Sequence, residues 1–307
     1  MRNPFFNTIL KLIRCDPDVL VLTADNGFVN FDVFEELFPG RFINFGISEA
    51  NMISYAAGMA SCGKIPFAFA ISAFITMRAY EQIRNDVCLQ KQNVKIIGAF
   101  GGMNFSTLGP SHHAIEDIAI MRVLPGMNII CPASPLEAKG AFFAAKQIQG
   151  PVYIRLGSTQ EPEIYSSNYS FEIGKGVLLE EGTDITLVAT GPIVFDVLQA
   201  ASDLRGKGIS PRVISMPTIK PIDKELICKA ANETGTIIAI EEHSIIGGLG
   251  SAIAEVLFEA KVNNVIFDKL GIRDHFPKGY GTHEDLKEIN NISKDSIVKK
   301  VILTLKV

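Results

Sequence analysis

The stretch I-P-F-A-F-A-I-S-A-F-I-T-M-R-A-Y-E-Q-I-R-N-D-V-C-L-Q-K-Q-N-V-K-I-I-G-A-F, residues 65–100, decides the fold class. Two short apolar runs, Pro66–Ala70 and Val94–Ala99, flank a segment of helical period, Ala73–Gln90. Strand, helix and strand at that spacing make a crossover unit with parallel strands. The alternation extends outward. Strands are expected at Val19–Thr23, Phe42–Phe45, Asn128–Cys131 and Val152–Ile154, with helices at Pro4–Arg14, Glu49–Ser61, Ile115–Val123 and Pro135–Gln147. Ser134, Pro135 and Glu137 supply cap, first position and capping box for the last helix. After a polar, aromatic run that reads as a linker, the alternation resumes. Strands are expected at Ile185–Val188, Arg212–Ser215, Thr236–Ile240 and Asn264–Phe267. In the helix Pro192–Leu204, the residues Val194, Val197, Leu198, Ala201 and Leu204 share one face, which reads as core. The expected fold is α/β with two domains, each a mainly parallel sheet flanked by helices: residues 1–160, a linker 161–174, and residues 175–307.

Composition excludes several classes. The 307 residues carry 29 basic and 33 acidic side chains, a net charge of 29 − 33 = −4, which gives no basic surface for nucleic acid. The longest apolar suspect, Ile65–Met77, is too short for a membrane span of about 20 residues. Five cysteines, Cys15, Cys62, Cys88, Cys131 and Cys228, show no paired spacing. They read as reduced thiols in a cytoplasmic protein.

Three segments carry the chemistry. In R-F-I-N-F-G-I-S-E-A-N-M (41–52) a strand passes through Gly46 into a helix opened by Glu49. The macrodipole favours a carboxylate there on structural grounds alone, but the carboxyl end of a strand is also where such sheets bind ligands. In residues 68–87, Phe74, Met77 and Tyr80 recur at steps of three beside Arg78, a stripe that reads first as core. The loop F-G-G-M-N-F-S-T-L-G-P-S-H-H-A-I-E-D (100–117) ends in adjacent histidines. His112 and His113 can donate hydrogen bonds or carry protons near neutral pH, or one can cap the next helix while the other stays solvated. Zinc and serine-triad patterns are absent. Further on, Gly247, Gly248 and Gly250 offer either a phosphate cradle or a tight strand-to-helix turn, and the spacing favours the turn. His275 and His283, in a turn-rich stretch, read as turn stabilisers.

Taken together, FGISEANM (45–52), AFITMRAYEQIRNDV (73–87), GPSHHAIEDIAIMRVLPGMNIICPASPLEA (109–138), PVYIRLG (151–157) and EEHSIIGGLGSAIAEVL (241–257) resemble the transketolase superfamily of thiamine-diphosphate enzymes. The resemblance runs through the whole chain in order. It implies a pyrimidine-binding domain followed by a transketolase C-terminal domain. The family's diphosphate-binding domain, with its GDG…N magnesium signature, has no counterpart here. The resemblance therefore implies the C-terminal subunit of a split transketolase. Its partners would be a separately encoded N-terminal subunit that supplies the Mg2+ ligands, in an α2β2 assembly, and a sugar or sugar-phosphate substrate.

By the same resemblance, Glu49 hydrogen-bonds the cofactor's aminopyrimidine and favours the imino tautomer that deprotonates the thiazolium C2. Phe74 stacks on that ring, and Tyr80 helps to build the pocket. Ser111 and His112 contact substrate, His112 with a catalytic part, and Arg155 binds a sugar phosphate through its fixed guanidinium donors. Arg78 resembles an arginine of the deoxyxylulose-phosphate synthases and is placed with the substrate. No residue of this chain is expected to bind metal. Leu108 stands where transketolases carry an acidic residue that reads a donor hydroxyl, so a specialised or shorter ketose donor is expected. The expected reaction moves a two-carbon ketol unit from a ketose to an aldose. The alternatives are a 2-oxoacid dehydrogenase β-subunit, a deoxyxylulose-phosphate-synthase-like decarboxylating enzyme, and a non-catalytic regulatory subunit.

Overall fold

The computed structural model describes residues 2–25, 31–158, 161–165 and 169–306, with side chains from residue 6 onward. Twelve strands are described: β1 Val19–Thr23, β2 Phe42–Asn44, β3 Ile65–Ile71, β4 Lys95–Ala99, β5 Asn128–Ile130, β6 Val152–Arg155, β7 Val177–Glu180, β8 Ile185–Thr190, β9 Pro211–Ser215, β10 Thr218–Lys220, β11 Thr236–Ser244 and β12 Ile266–Ile272. They form a seven-stranded sheet, β10-β5-β6-β4-β3-β1-β2, and a five-stranded sheet, β12-β11-β8-β9-β7. The first is parallel except for β10 against β5, and the second is parallel except for β7 against β9. Two mainly parallel sheets flanked by helices are the α/β architecture that the sequence implies.

The apolar runs are buried on both faces, as parallel strands require. β1, β4, β6 and β8 are buried throughout. Val194, Val197, Ala201 and Leu204 are fully buried on the helix Val194–Arg205, as its stripe predicts, while Leu198 is only partly covered. One core cluster spans both sheets, from Met127, Ile129 and Cys131 to Ile214, Met216 and Ile219. β10 crosses the same seam, because it follows β9 in the chain but joins β5 in the first sheet.

Three local expectations need correction. The helix expected at Ala73–Gln90 is broken into Ser72–Met77, Tyr80–Gln82 and a π-helical turn Ile83–Cys88. Phe74 and Met77 are accordingly not core, and Met77 is 41% exposed. The break follows Met77 and leads into a π-turn, a feature frequent beside functional sites. At the helix Pro135–Gln147, Ser134 Oγ caps the Glu137 amide. Glu137 does not close the box; its carboxylate takes the Ala133 amide, the Ser215 hydroxyl and the Tyr165 hydroxyl instead. Finally, β7 and β10 have no counterpart among the expected strands. Each is short and lies at a sheet edge, where periodicity is weakest.

Candidate active site

The carboxyl ends of β2, β3 and β4 deliver three segments to one place, the usual ligand end of an open parallel sheet. Gly46, at φ +64°, turns the chain after β2 into the helix Glu49–Ser61. Glu49 opens that helix with its side chain only 1% exposed. Its carboxylate accepts a hydrogen bond from Arg78, whose Nη1 donates to Oε2 at 2.7 Å. The Arg78 side chain is 48% exposed, and its guanidinium lies over the Phe74 ring, 4.9 Å from the centroid. That geometry is a cation–π contact.

Phe74 meets His112 edge to face at 5.0 Å and 68°. His112 meets Phe105 in the same manner at 5.6 Å and 67°. Ser111 Oγ lies 3.0 Å from His112 Nδ1. Glu49, Arg78, Phe74, His112 and Ser111 therefore form one contiguous chain of contacts, although about sixty positions separate the first from the last. Tyr80 faces elsewhere: its hydroxyl donates to the Ile120 carbonyl at 2.8 Å. It braces the broken helix against the helix Asp117–Arg122, and burial pushes its hydroxyl pKa up.

Arg155 is not in this cluster. It is 4% exposed, with Nε donating to Asp117 Oδ2 at 2.8 Å and Nη2 to the carbonyls of Ala114 and Glu242 at 2.8 and 3.0 Å. Tyr153 also donates to Asp117 Oδ2, at 2.6 Å. Burial works against the guanidinium's charge, but Asp117 outweighs it and holds the pKa above the ordinary value. In this conformation the phosphate role inferred from resemblance gives way to an internal one. Arg155 ties the end of the histidine loop to β6 and β11.

That loop starts under tension. Phe100 sits at φ +57°, a left-handed conformation that costs a bulky residue roughly 1–2 kcal/mol. The glycines that follow fit tight places. A side chain at Gly101 would strike Arg155 Cγ at 2.7 Å, and one at Gly102 (φ +73°) would overlap the Glu242 carboxylate. Glu242 Oε1 accepts the Met103 amide, and His283 Nε2 lies 2.9 Å from the same oxygen. Burial would raise Glu242, yet His283 holds it below the ordinary carboxylate range. Burial would lower His283, yet Glu242 holds it above the ordinary imidazole value. His283 is thus no turn stabiliser, whereas His275 does stay local, with Nδ1 2.9 Å from the Phe276 carbonyl. His113 is 3% exposed, and burial lowers its pKa, favouring the neutral ring. Neither histidine of the pair caps the helix Asp117–Arg122.

The glycine run of the second sheet is already occupied. Glu241 Oε2 and Oε1 accept the amides of Leu249 and Gly250 at 2.7 and 2.9 Å. A side chain at Gly248 would overlap that carboxylate. The turn holds its own anion, which satisfies the helix N-terminus that a phosphate would have used. Among the described residues, no three His, Cys, Asp or Glu side chains gather to hold a metal ion. No described helix is long and apolar enough to cross a membrane.

A buried carboxylate beside an aromatic face, with a half-exposed cation above, suits a flat heterocycle that offers ring nitrogens. The transketolase pyrimidine-binding domain family matches residues 1–161, and the transketolase C-terminal domain family matches residues 174–296. This chain belongs to the transketolase family. It is 39% identical over 309 residues to a putative transketolase C-terminal section of Methanocaldococcus jannaschii, covering 100% of this chain and 96% of that one. It is 37% identical over 303 residues to a subunit of the apulose-4-phosphate transketolase of Phocaeicola vulgatus, covering 98% and 96%. A solved split-gene transketolase, described as an inactive β4 tetramer, superposes with a TM-score of 0.88 at 40% identity, covering 99% of this chain and 97% of that one.

Proposed function

We propose that this chain is the pyrimidine-binding and C-terminal subunit of a two-chain, thiamine-diphosphate-dependent transketolase. It moves a two-carbon ketol unit from a ketose phosphate to an aldose. The observation that carries this reading is the cluster of Glu49, Phe74 and Arg78, in which one guanidinium bridges a buried carboxylate and an aromatic face. The near full-length similarity to one subunit of an apulose-4-phosphate transketolase supports it. Residues 1–160 form the pyrimidine-binding half, 161–174 the linker and 175–307 the C-terminal half. The Mg2+ ligands belong to the separate N-terminal subunit with its GDG…N motif, in an α2β2 complex. Five unpaired cysteines suit the cytoplasm.

When bound, the cofactor supplies a nucleophilic carbon and an electron sink. Glu49 would hold a proton at its carboxylate facing the aminopyrimidine, and Phe74 would offer that ring its aromatic face. Tyr80 fixes the wall behind Phe74. His112, oriented by Ser111 and Phe105, donates to the substrate oxygen on which charge develops. Arg78 leaves Glu49 on loading and meets the anionic end of the donor, for which a half-exposed guanidinium is suited. Leu108, 47% exposed in the same loop, offers no acceptor to a donor hydroxyl and favours a shorter or deoxygenated ketose.

Calorimetry with thiamine diphosphate and Mg2+, on this chain alone and with the N-terminal subunit, tests the split site. Tight binding only in the mixture, followed by ketol transfer without release of carbon dioxide, is the expected result. Carbon dioxide release from a 2-oxoacid would instead establish a decarboxylating enzyme. An associated complex that binds no cofactor would leave a regulatory subunit.

A further inference from the structure

We propose that Glu242 and His283, contributed by the C-terminal half, are positioning residues that hold the site histidine loop in its working shape. The proposal deepens the functional reading above and rests on it for its kinetic part. Glu242 is 3% exposed at the end of β11, and its Oε1 accepts both the Met103 amide and His283 Nε2. Met103 lies three residues past the left-handed Phe100 and two before Phe105, which packs on His112. The carboxylate thus pins the loop between its strained entry and the aromatic contact that sets the His112 ring. Asn104 Nδ2 closes the turn on the Gly101 carbonyl at 2.6 Å.

The cation matters because the carboxylate is buried. An unpaired charge at that depth would turn toward water and release the Met103 amide. Several charged groups face the pair. Glu284 and Lys287 stand on the helix of His283, Asp196 on the helix Val194–Arg205, His113 in the loop and Arg155 on β6. Lys287 is itself satisfied by Asp196 at 2.8 and 2.9 Å and by Glu284 at 2.7 Å, so His283 is the cation left to Glu242. A cavity of about 190 Å³, bordered by Asn104, Glu242, His283 and Lys287, gives solvent protons access to the pair.

The test uses His283→Ala, His283→Lys and Glu242→Gln, on the isolated full chain and on the complex with its partner and thiamine diphosphate. In His283→Ala, amide exchange across residues 100–114 rises roughly tenfold or more. In the complex, donor KM rises by a similar factor, while thiamine-diphosphate affinity stays within about twofold. His283→Lys restores both values. Wild-type donor KM climbs as rising pH removes the His283 proton, later than for an ordinary imidazole, and this limb is missing in His283→Lys. Glu242→Gln keeps an acceptor for Met103 and gives an intermediate exchange rate. Unchanged loop exchange in His283→Ala overturns the proposal, as does a KM that rises without rescue by lysine. Absence of ketol transfer in the wild-type complex would sink the functional reading, and the exchange rates would then decide the clamp alone.

Discussion

Glu49 and Glu241 are both carboxylates at 1% exposure beside the first turn of a helix that follows a parallel strand. Glu241 folds back onto that turn and accepts two backbone amides. Glu49 instead accepts from an arginine whose side chain is half-exposed. The two glutamates thus serve comparable helix starts, Glu49 from the first turn itself and Glu241 from the preceding strand, and differ in whether backbone amides already claim them. A committed group stabilises; an uncommitted one is available to a ligand.

Isosteric removal of charge should separate the two most sharply. Glu49→Gln lowers ketol transfer in the assembled enzyme by about 10²–10⁴-fold, with its unfolding midpoint nearly unchanged. Glu241→Gln costs about 1–3 kcal/mol of stability and leaves turnover per folded molecule intact. Urea unfolding and a coupled transfer assay on the same preparations check both. Loss of turnover in Glu241→Gln at unchanged stability would erase the distinction.

The arginines repeat the contrast. Arg155→Ala strands a buried Asp117 carboxylate and should cost about 3–5 kcal/mol in urea unfolding. Arg78→Ala also leaves a buried carboxylate, Glu49, without its donor, but should cost less, about 1–3 kcal/mol, because water can take the place of a side chain that is 48% exposed. Its larger effect is on the KM for phosphorylated donors, raised about tenfold or more. A phosphate-binding Arg155 would show the reverse pattern.

Much of this was legible in the sequence, because strand cores, the Glu49 turn and the helix 194–205 rest on local periodicity. The cluster of Glu49, Phe74, Arg78 and His112 was legible through its motifs. What was hidden is pairing across distance. Nothing in Y-I-R-L-G says that Asp117 already holds Arg155, and nothing near His283 points to Glu242, 41 positions away. The broken helix after Phe74 was hidden too, because π-turns preserve apolar spacing well enough to read as one continuous helix. A cue for Glu242 did exist: adjacent glycines after a strand signal a close approach, and the approaching groups proved to be Arg155 and Glu242.

Gly248→Ala sharpens the comparison more gently. The added methyl would displace the Glu241 carboxylate from its amides. The expected cost is about 1–3 kcal/mol, with no change in donor KM. Gly46→Ala, in the turn before Glu49, meets nothing within 4 Å, but its φ of +64° still strains a side chain. Its cost should be nearer 1 kcal/mol. Thermal melts of the two variants rank them directly.

A lysine whose bonds are already committed extends the comparison to pH dependence. Lys95 is fully buried, and its Nζ donates to Asn93 Oδ1, the Ile148 carbonyl and the Gly150 carbonyl at 2.6, 2.7 and 2.9 Å. Burial pushes its pKa down to about 7 from an ordinary 10.5. Between those values the unfolded chain binds more protons than the folded one, so this residue makes stability rise with pH across that window. Below about pH 7 both forms are protonated and the dependence from this group ends. Lys95→Met should be less stable than wild type, because two backbone carbonyls lose their donor, but should lack that alkaline rise. Urea midpoints of both proteins at intervals from pH 7 to 10 measure the difference. An identical rise in the variant would assign the slope to other groups and leave Lys95 charged throughout, held by its three oxygens.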